Sequence, residues 1–226
     1  MTAQSIKTVL FDLDGTLLDT APDMAAALNL LSAEHDRPQL AFEQIRGKVS
    51  AGAAALIELG LDIRTDSTEY AQIVQRFLEL YRENLYRETC LFPGMDAVLD
   101  QLDRSGITWG ICTNKPGWLT EPLLEAAGLA ERVTCIVSGD TLPERKPRPE
   151  PLWHALELCS GESEQAIYVG DAARDIEAGR AAGLRTAVAL YGYIGDDENP
   201  RDWQADHYIE TPAELLGVLR LTRATA

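Results

Sequence analysis

Five short apolar runs of strand length, at 6–11, 107–112, 133–137, 166–169 and 186–190, are each followed within two residues by Gly, Asp, Asn or Ser. Between the later runs the apolar residues change to helical spacing: Val98, Leu99 and Leu102, then Leu119, Leu123, Leu124 and Ala127, then Leu152, Leu156 and Cys159. A continuous apolar run bounded by turn residues suits a strand buried on both faces, and strand alternating with helix predicts an α/β fold with a parallel sheet flanked by helices.

The segment 20–89 breaks this alternation. It carries helical patterns at 22–34, 51–59 and 68–86 and no convincing strand. One crossover helix needs far fewer residues. The segment therefore predicts an inserted helical cap subdomain (20–89) within a core formed by 1–19 and 90–226. Phe92-Pro93-Gly94 marks the return to the sheet. Thr211-Pro212-Ala213-Glu214 reads as a capping box with Pro at the first helical position, opening a last helix that runs to about residue 221.

The 226 residues are 46% hydrophobic and 25% charged, enough for a substantial core in one good-sized domain or one domain with a smaller second one. No run approaches the ~18–20 apolar residues of a membrane span, and Met1 to Lys7 shows no signal-peptide pattern. A soluble, cytoplasmic protein without a membrane partner is expected. With 36 acidic against 20 basic residues the formal charge is −16, and no Lys/Arg cluster offsets it. That balance argues against a nucleic-acid partner and requires any anionic substrate to meet a local cation. Cys90, Cys112, Cys135 and Cys159 form no C-x-x-C pair, and read as reduced thiols, mostly in the core.

The sharpest chemical signal is Asp12-Leu13-Asp14-Gly15-Thr16, directly after Val9-Leu10-Phe11. Side chains repeat every two residues at a strand end, so Asp12 and Asp14 point the same way. Two adjacent carboxylates raise one another's pKa unless a cation lies between them, and Mg²⁺ is a hard ion that takes such oxygen ligands. An Asp-Gly turn is the plainer reading, but this pattern arises by chance on the order of once in a thousand such chains. Its position after a first parallel strand is also where open α/β sheets bind ligands.

Three weaker signals follow. Thr113 and Asn114 end the second run, offering a hydroxyl and an amide to phosphate oxygens; a helix N-cap before Pro116 is an equal reading. Lys146, in Arg145-Lys146-Pro147-Arg148-Pro149-Glu150-Pro151, would place an ammonium on a phosphoryl oxygen, although alone it reads as a solvated basic loop. Asp171 and Asp175, in Gly170-Asp171-Ala172-Ala173-Arg174-Asp175, share a face if a helix begins near Asp171. Asp171 would then hold the metal while Asp175 acts through water or orients Lys146; an N-cap role is the alternative for Asp171. All four signals fall at the carboxyl ends of expected parallel strands, so they converge on one crevice.

In this order, with a helical insert after the first motif, these residues resemble the haloacid dehalogenase superfamily over essentially the whole chain, and no motif position departs from its pattern. Thr113-Asn114-Lys115-Pro116 and Lys146-Pro147-x-Pro149-x-Pro151 are similar to the phosphoglycolate phosphatase group. Tyr191-Gly192-Tyr193-Ile194 and Asn199-Pro200-Arg201-x-Trp203 are similar to a proteobacterial branch acting on N-acetylmuramic acid 6-phosphate. The resemblance implies a Rossmann-like core, an inserted helical cap and a Mg²⁺-dependent phosphatase of small phosphorylated metabolites, engaged in cell-wall sugar recycling, with 2-phosphoglycolate as the alternative substrate. It implies Asp12 as the nucleophile that becomes an aspartyl-phosphate, and Asp14 as acid and then base. Mg²⁺ would be held by Asp12, the Asp14 carbonyl and Asp171, with Asp175 behind them, and the phosphate by Thr113, Asn114 and Lys146.

Asp14 argues against dehalogenase and phosphonatase chemistry, which lack this carboxylate. A sugar phosphomutase remains a rival. A non-enzymatic phospho-accepting module also gathers carboxylates around Mg²⁺, but is about half this length and has no insert. For the organic part of the substrate the candidates are Arg46, Lys48 and Ser50, before a Gly-containing helix start; an exposed charge pair is the plainer reading.

Overall fold

Thr8, Val9, Leu10 and Phe11 are all buried, which places this strand inside a sheet covered on both faces. The computed structural model describes residues 5–221, so the outermost bounds of the expected core and part of the reading of Met1 to Lys7 lie outside the described residues. The chain runs β1 (Thr8–Phe11), β2 (Leu18–Asp19), α1 (Ala21–Glu34), α2 (Phe42–Arg46), α3 (Ala53–Leu61), α4 (Tyr70–Glu83), β3 (Cys90–Leu91), α5 (Met95–Arg104) and β4 (Thr108–Cys112). It continues through α6 (Gly117–Ala126), β5 (Ile136–Val137), α7 (Glu150–Leu158), β6 (Ala166–Gly170), α8 (Ala173–Ala181), β7 (Arg185–Ala189), β8 (His207–Ile209) and α9 (Glu214–Val218).

Six strands form one parallel sheet in the order β5-β4-β1-β6-β7-β8. Phe11 pairs with Ile111 on one side and Val169 on the other. The chain builds outward from β1 to β4 and β5, then crosses to β6, β7 and β8. Strand order therefore reverses at β1, which opens a crevice over its carboxyl end.

The helices α1 to α4 lie between the strands of a two-stranded antiparallel ribbon in which Leu18 pairs with Leu91 and Asp19 with Cys90. In α4 the apolar residues Ile73, Phe77, Leu80 and Tyr81 fall on one stripe and are buried, and α1 packs against α4, α3 and α2. The return of the chain is held by Asp23 in the first turn of α1. Its carboxylate accepts from the backbone N–H groups of Arg87 (3.0 Å), Glu88 (2.9 Å) and Thr89 (3.2 Å) and from the Thr89 hydroxyl (2.6 Å).

Several elements differ from the sequence expectation. The strand expected at 133–137 is regular only at Ile136–Val137, because it forms an outer edge with a neighbour on one side alone. The short edge strand β8, the two-residue strands β2 and β3 and the five-residue α2 carry too few residues for a periodic signal. The capping box at Thr211 does not form. The helix begins at Glu214, whose carboxylate accepts from the Glu210 N–H (2.9 Å), and it ends at Val218, three residues short of expectation, with Arg220 left-handed (φ 57°).

Removing the Asp23 carboxylate leaves backbone donors without partners at the ribbon. Asp23→Ala should lower unfolding free energy by about 3 kcal/mol in urea titration. A loss below about 1 kcal/mol would mean that water replaces the carboxylate there.

Candidate active site

Every strand around the crevice delivers a polar side chain just past its end. Asp12 follows β1, and its N–H donates to Val169 O (2.8 Å), so the sheet ladder fixes its backbone. Leu13 turns into the core while Asp12 and Asp14 both line the same cavity. The loop then reverses tightly: Leu17 and Leu18 N–H donate to Leu13 O (3.0 and 2.9 Å), with Gly15 at φ 81°. A Cβ on Gly15 would stand 2.1 Å from Asp171 Oδ2, so this glycine allows both the turn and the close approach of the Asp171 carboxylate.

Lys146 lies in the long segment between β5 and α7, yet its ammonium reaches beneath β1. Nζ donates to Tyr168 Oη (2.7 Å) and Asp175 Oδ1 (2.8 Å) and pairs with Asp12 Oδ1 at 2.9 Å. Burial works against its charge, but Asp12 and Asp175 outweigh that effect and hold it above the ordinary lysine range. Asn114 fixes the same residue from behind: its Nδ2 donates to Lys146 O (3.0 Å), and its Oδ1 accepts from Lys146 N–H (3.1 Å). The sequence reading gave this amide to phosphate; in the structure both of its ends are engaged on the Lys146 backbone. Thr113 Oγ1 accepts from the Lys115 N–H (3.2 Å) and lines the cavity, and the N-cap position of α6 falls to Pro116.

Asp171 follows β6 and is 1% exposed. Its Oδ2 accepts from Ser50 Oγ (2.5 Å) and Tyr193 N–H (2.8 Å), and its Oδ1 from Thr16 Oγ1 (3.4 Å). Burial, followed by the charges of Asp12 and Asp175, pushes its carboxyl up to about 7. Helix α8 begins only at Ala173, and its first turn is closed by Asp175 Oδ2 accepting from the Ala172 N–H (3.0 Å). Asp175 is thus the capping carboxylate, with its other oxygen on Lys146.

Oxygen atoms of Asp12, Asp171 and Asp175 lie within 4.8 Å of one another, all buried. Lys146 is the one cation bonded to this trio among the described residues, and Asp12 Oδ2 carries no hydrogen bond from any of them. An excess of hard, anionic oxygen donors in a buried cluster fits a divalent cation.

The cavity, about 360 Å³, is bounded by Asp12 of this cluster, by Asp14 and Thr113, and by Val49, Ser50, Val74, Leu78 and Tyr81 of the inserted segment. Of the three expected substrate contacts only Ser50 lines it. Arg46 instead donates to Tyr191 O (3.0 Å) and lies over the Tyr193 ring at 5.1 Å, while Lys48 pairs with Asp197 at 3.6 Å on the surface. Both fasten the insert to the loop after β7.

Four lining residues escaped the sequence reading. Lys115 donates to Asp14 Oδ1 (2.8 Å) and to Tyr81 Oη (3.0 Å), so the insert touches the second aspartate of the motif through one ammonium. Burial pushes the Tyr81 phenol up to about 12, so it remains protonated. Arg174 donates to Ser50 O, and the guanidinium of Arg145 has no partner among the described residues. Lys115, Arg145 and Arg174 each lie inside a motif already singled out; Tyr81 reads as part of the apolar stripe of α4, and nothing in the sequence separates it from core.

Residues 9–189 match the family model described as haloacid dehalogenase-like hydrolase. The chain belongs to this family. It is 38% identical over 219 residues to an N-acetylmuramic acid 6-phosphate phosphatase of Pseudomonas aeruginosa, covering 97% of each chain. It is 41% identical over 209 residues to a phosphoglycolate phosphatase of Xanthomonas campestris pv. campestris, covering 92% of this chain and 94% of that one. Among solved structures, that of a predicted phosphoglycolate phosphatase from Haemophilus somnus 129PT superposes with a TM-score of 0.84 at 26% identity, over 95% of this chain and 98% of that one. The chain is accordingly an enzyme of the phosphatase kind.

An acid whose pKa is raised by folding costs stability once the pH exceeds its unfolded value. For Asp171 this cost is absent below about pH 4, grows to about pH 7 and is constant above. In chelator-treated protein, Asp171→Asn should therefore raise Tm by about 5 °C or more at pH 8 and leave it unchanged near pH 4. An equal shift at both pH values would show that the carboxylate is not penalised.

Proposed function

We propose that the protein is a Mg²⁺-dependent phosphomonoester hydrolase that works through an aspartyl-phosphate on Asp12, with N-acetylmuramic acid 6-phosphate as its preferred substrate. The observation that carries the reading is the state of Asp12: one oxygen is held by Lys146 and the Leu13 N–H, and the other is unbonded at the floor of a cavity shared with Asp14. A carboxylate fixed by one oxygen and free at the other is arranged for in-line attack on phosphorus. Mg²⁺ would be held by Asp12, Asp171 and the Asp14 carbonyl, and when bound it offsets the repulsion between the Asp12 carboxylate and the phosphate dianion.

Asp14 protonates the leaving alcohol and then takes a proton from the attacking water. Its bonds to Thr20 Oγ1 (2.7 Å) and Lys115 Nζ support this by aiming one oxygen while the second stays open to the cavity. Thr113 and Lys146 bind phosphoryl oxygens, Asn114 acts by holding Lys146, and Asp175 orients its ammonium. The segment 20–89 serves as the cap that closes the site over the organic part of the substrate, with Ser50 at the junction.

The cavity volume and the apolar wall that Val49, Val74 and Leu78 of the insert contribute support the larger amino-sugar phosphate over 2-phosphoglycolate, which has no comparable organic part to set against that wall. The relative named for phosphoglycolate, at 41% identity, keeps that substrate as the second reading. Both carry a carboxylate besides the phosphate. With Lys115 on Asp14, Lys146 on Asp12 and Asp175, and Arg174 on the Ser50 carbonyl, the unpartnered Arg145 is left to meet it. The setting is cytoplasmic recycling of peptidoglycan sugars.

Steady-state kinetics on the two metabolites and an aryl phosphate test this directly. The amino-sugar phosphate should give the highest kcat/KM, and Arg145→Ala should lower it about tenfold while sparing the aryl phosphate. A higher kcat/KM for phosphoglycolate would overturn the substrate choice and leave the phosphatase reading standing; no turnover of any ester would overturn both.

A further inference from the structure

Away from the crevice, on the other face of the sheet, a second apolar cluster contains two cysteines whose sulfurs lie 3.1 Å apart. Cys135 stands just before β5, and its Sγ occupies the notch left by Gly110 of β4, where a Cβ would come within 2.4 Å of it. Cys159 caps the carboxyl end of α7. The two are 24 residues apart, and the chain between them is the segment that carries Arg145 and Lys146. Both are free thiols, 6% and 8% exposed.

We propose that Cys135 and Cys159 are a modification site: a thiol pair that hydrogen peroxide converts to a disulfide, which staples together the two ends of the Lys146 segment. The Cys159 thiolate attacks peroxide, breaking the O–O bond to give a sulfenic acid and hydroxide. Cys135 sulfur then attacks the sulfenic sulfur, the S–S bond forms and water leaves. Two thiols lose two electrons and two protons, and one peroxide becomes two waters. The Cys159 S–H donates to Cys135 Sγ at 3.1 Å, so the two sulfurs already face each other with nothing between them. The sulfurs need to approach by only about 1 Å to reach a bond of about 2.0 Å. The other cysteines lack such a bond: among the described residues Cys112, in the same cluster, has no hydrogen bond to another sulfur, and Cys90 lies exposed on the ribbon. Closing a loop of this length removes freedom from the unfolded chain, so the oxidised form is the more heat-resistant one.

The test uses the full chain with Cys90→Ser, which removes the exposed thiol, exposed to hydrogen peroxide and then mapped by mass spectrometry under non-reducing conditions. The expected result is a Cys135–Cys159 linked peptide and a Tm about 5 °C or more above the reduced form, reversed by dithiothreitol. Adding Cys159→Ser should abolish both. The oxidised-minus-reduced shift is measured on unaltered Cys135 and Cys159, so it stands even if that variant folds poorly. Recovery of both cysteines as alkylatable thiols, over-oxidation of Cys159 without a cross-link, a cross-link to Cys112, or an unchanged Tm would each overturn the proposal.

Discussion

The buried ammonium of Lys146 bonds to Asp12 at 2.9 Å and to Asp175 at 2.8 Å, and the geometry around the crevice depends on that bridge. Asp12, Asp171 and Asp175 bring three buried carboxylates within 4.8 Å of one another, a concentration of like charge that does not persist without a cation among them. Lysine supplies one positive charge for three negative ones. Asp171 is the strained member: burial, and then the charges of Asp12 and Asp175, push its carboxyl up to about 7. The same imbalance that destabilises the chain alone is what draws a divalent ion to it.

Much of the surrounding structure serves to keep that lysine in place. Its own segment is long and has no regular structure between β5 and α7, so its position is imposed from outside: Asn114 grips its peptide groups, Tyr168 accepts from its ammonium, and Asp175 is itself fixed by closing the first turn of α8. The insert is tied in by a separate set of bonds. Tyr81 reaches Asp14 through Lys115, Ser50 reaches Asp171 directly, and Arg46 stacks on Tyr193. Each contact joins the insert to a residue of, or next to, the site, so a shift of these elements is felt at Asp14 and Asp171.

The sheet was legible because its strands are buried on both faces and end in polar residues; runs such as Val9-Leu10-Phe11 and Ile167-Tyr168-Val169 have no other economical explanation. The strands β2, β3 and β8 were not, since a strand of two or three residues leaves no period. In the site, Asp12, Lys146, Asp171 and Asp175 stood out because polar residues sat at successive strand ends or in a stiffened loop. Arg46 and Lys48 misled because charge in a loop says nothing of direction: each found a nearer partner, a carbonyl with an aromatic face and a surface aspartate, than the cavity. Tyr81 and Asp23 were hidden for opposite reasons, the one inside an apolar stripe and the other as an ordinary first-turn acid of a helix.

The central claim is that the free oxygen of Asp12 attacks phosphorus. Rapid acid quench of the enzyme mixed with excess substrate and Mg²⁺, followed by peptide mapping, tests it most directly. The account predicts a transient, acid-stable and base-labile phosphoryl group on the peptide containing Asp12, appearing before product reaches steady state. A phosphoryl group on a different residue, or full turnover with none trapped on Asp12 at any time, would contradict it.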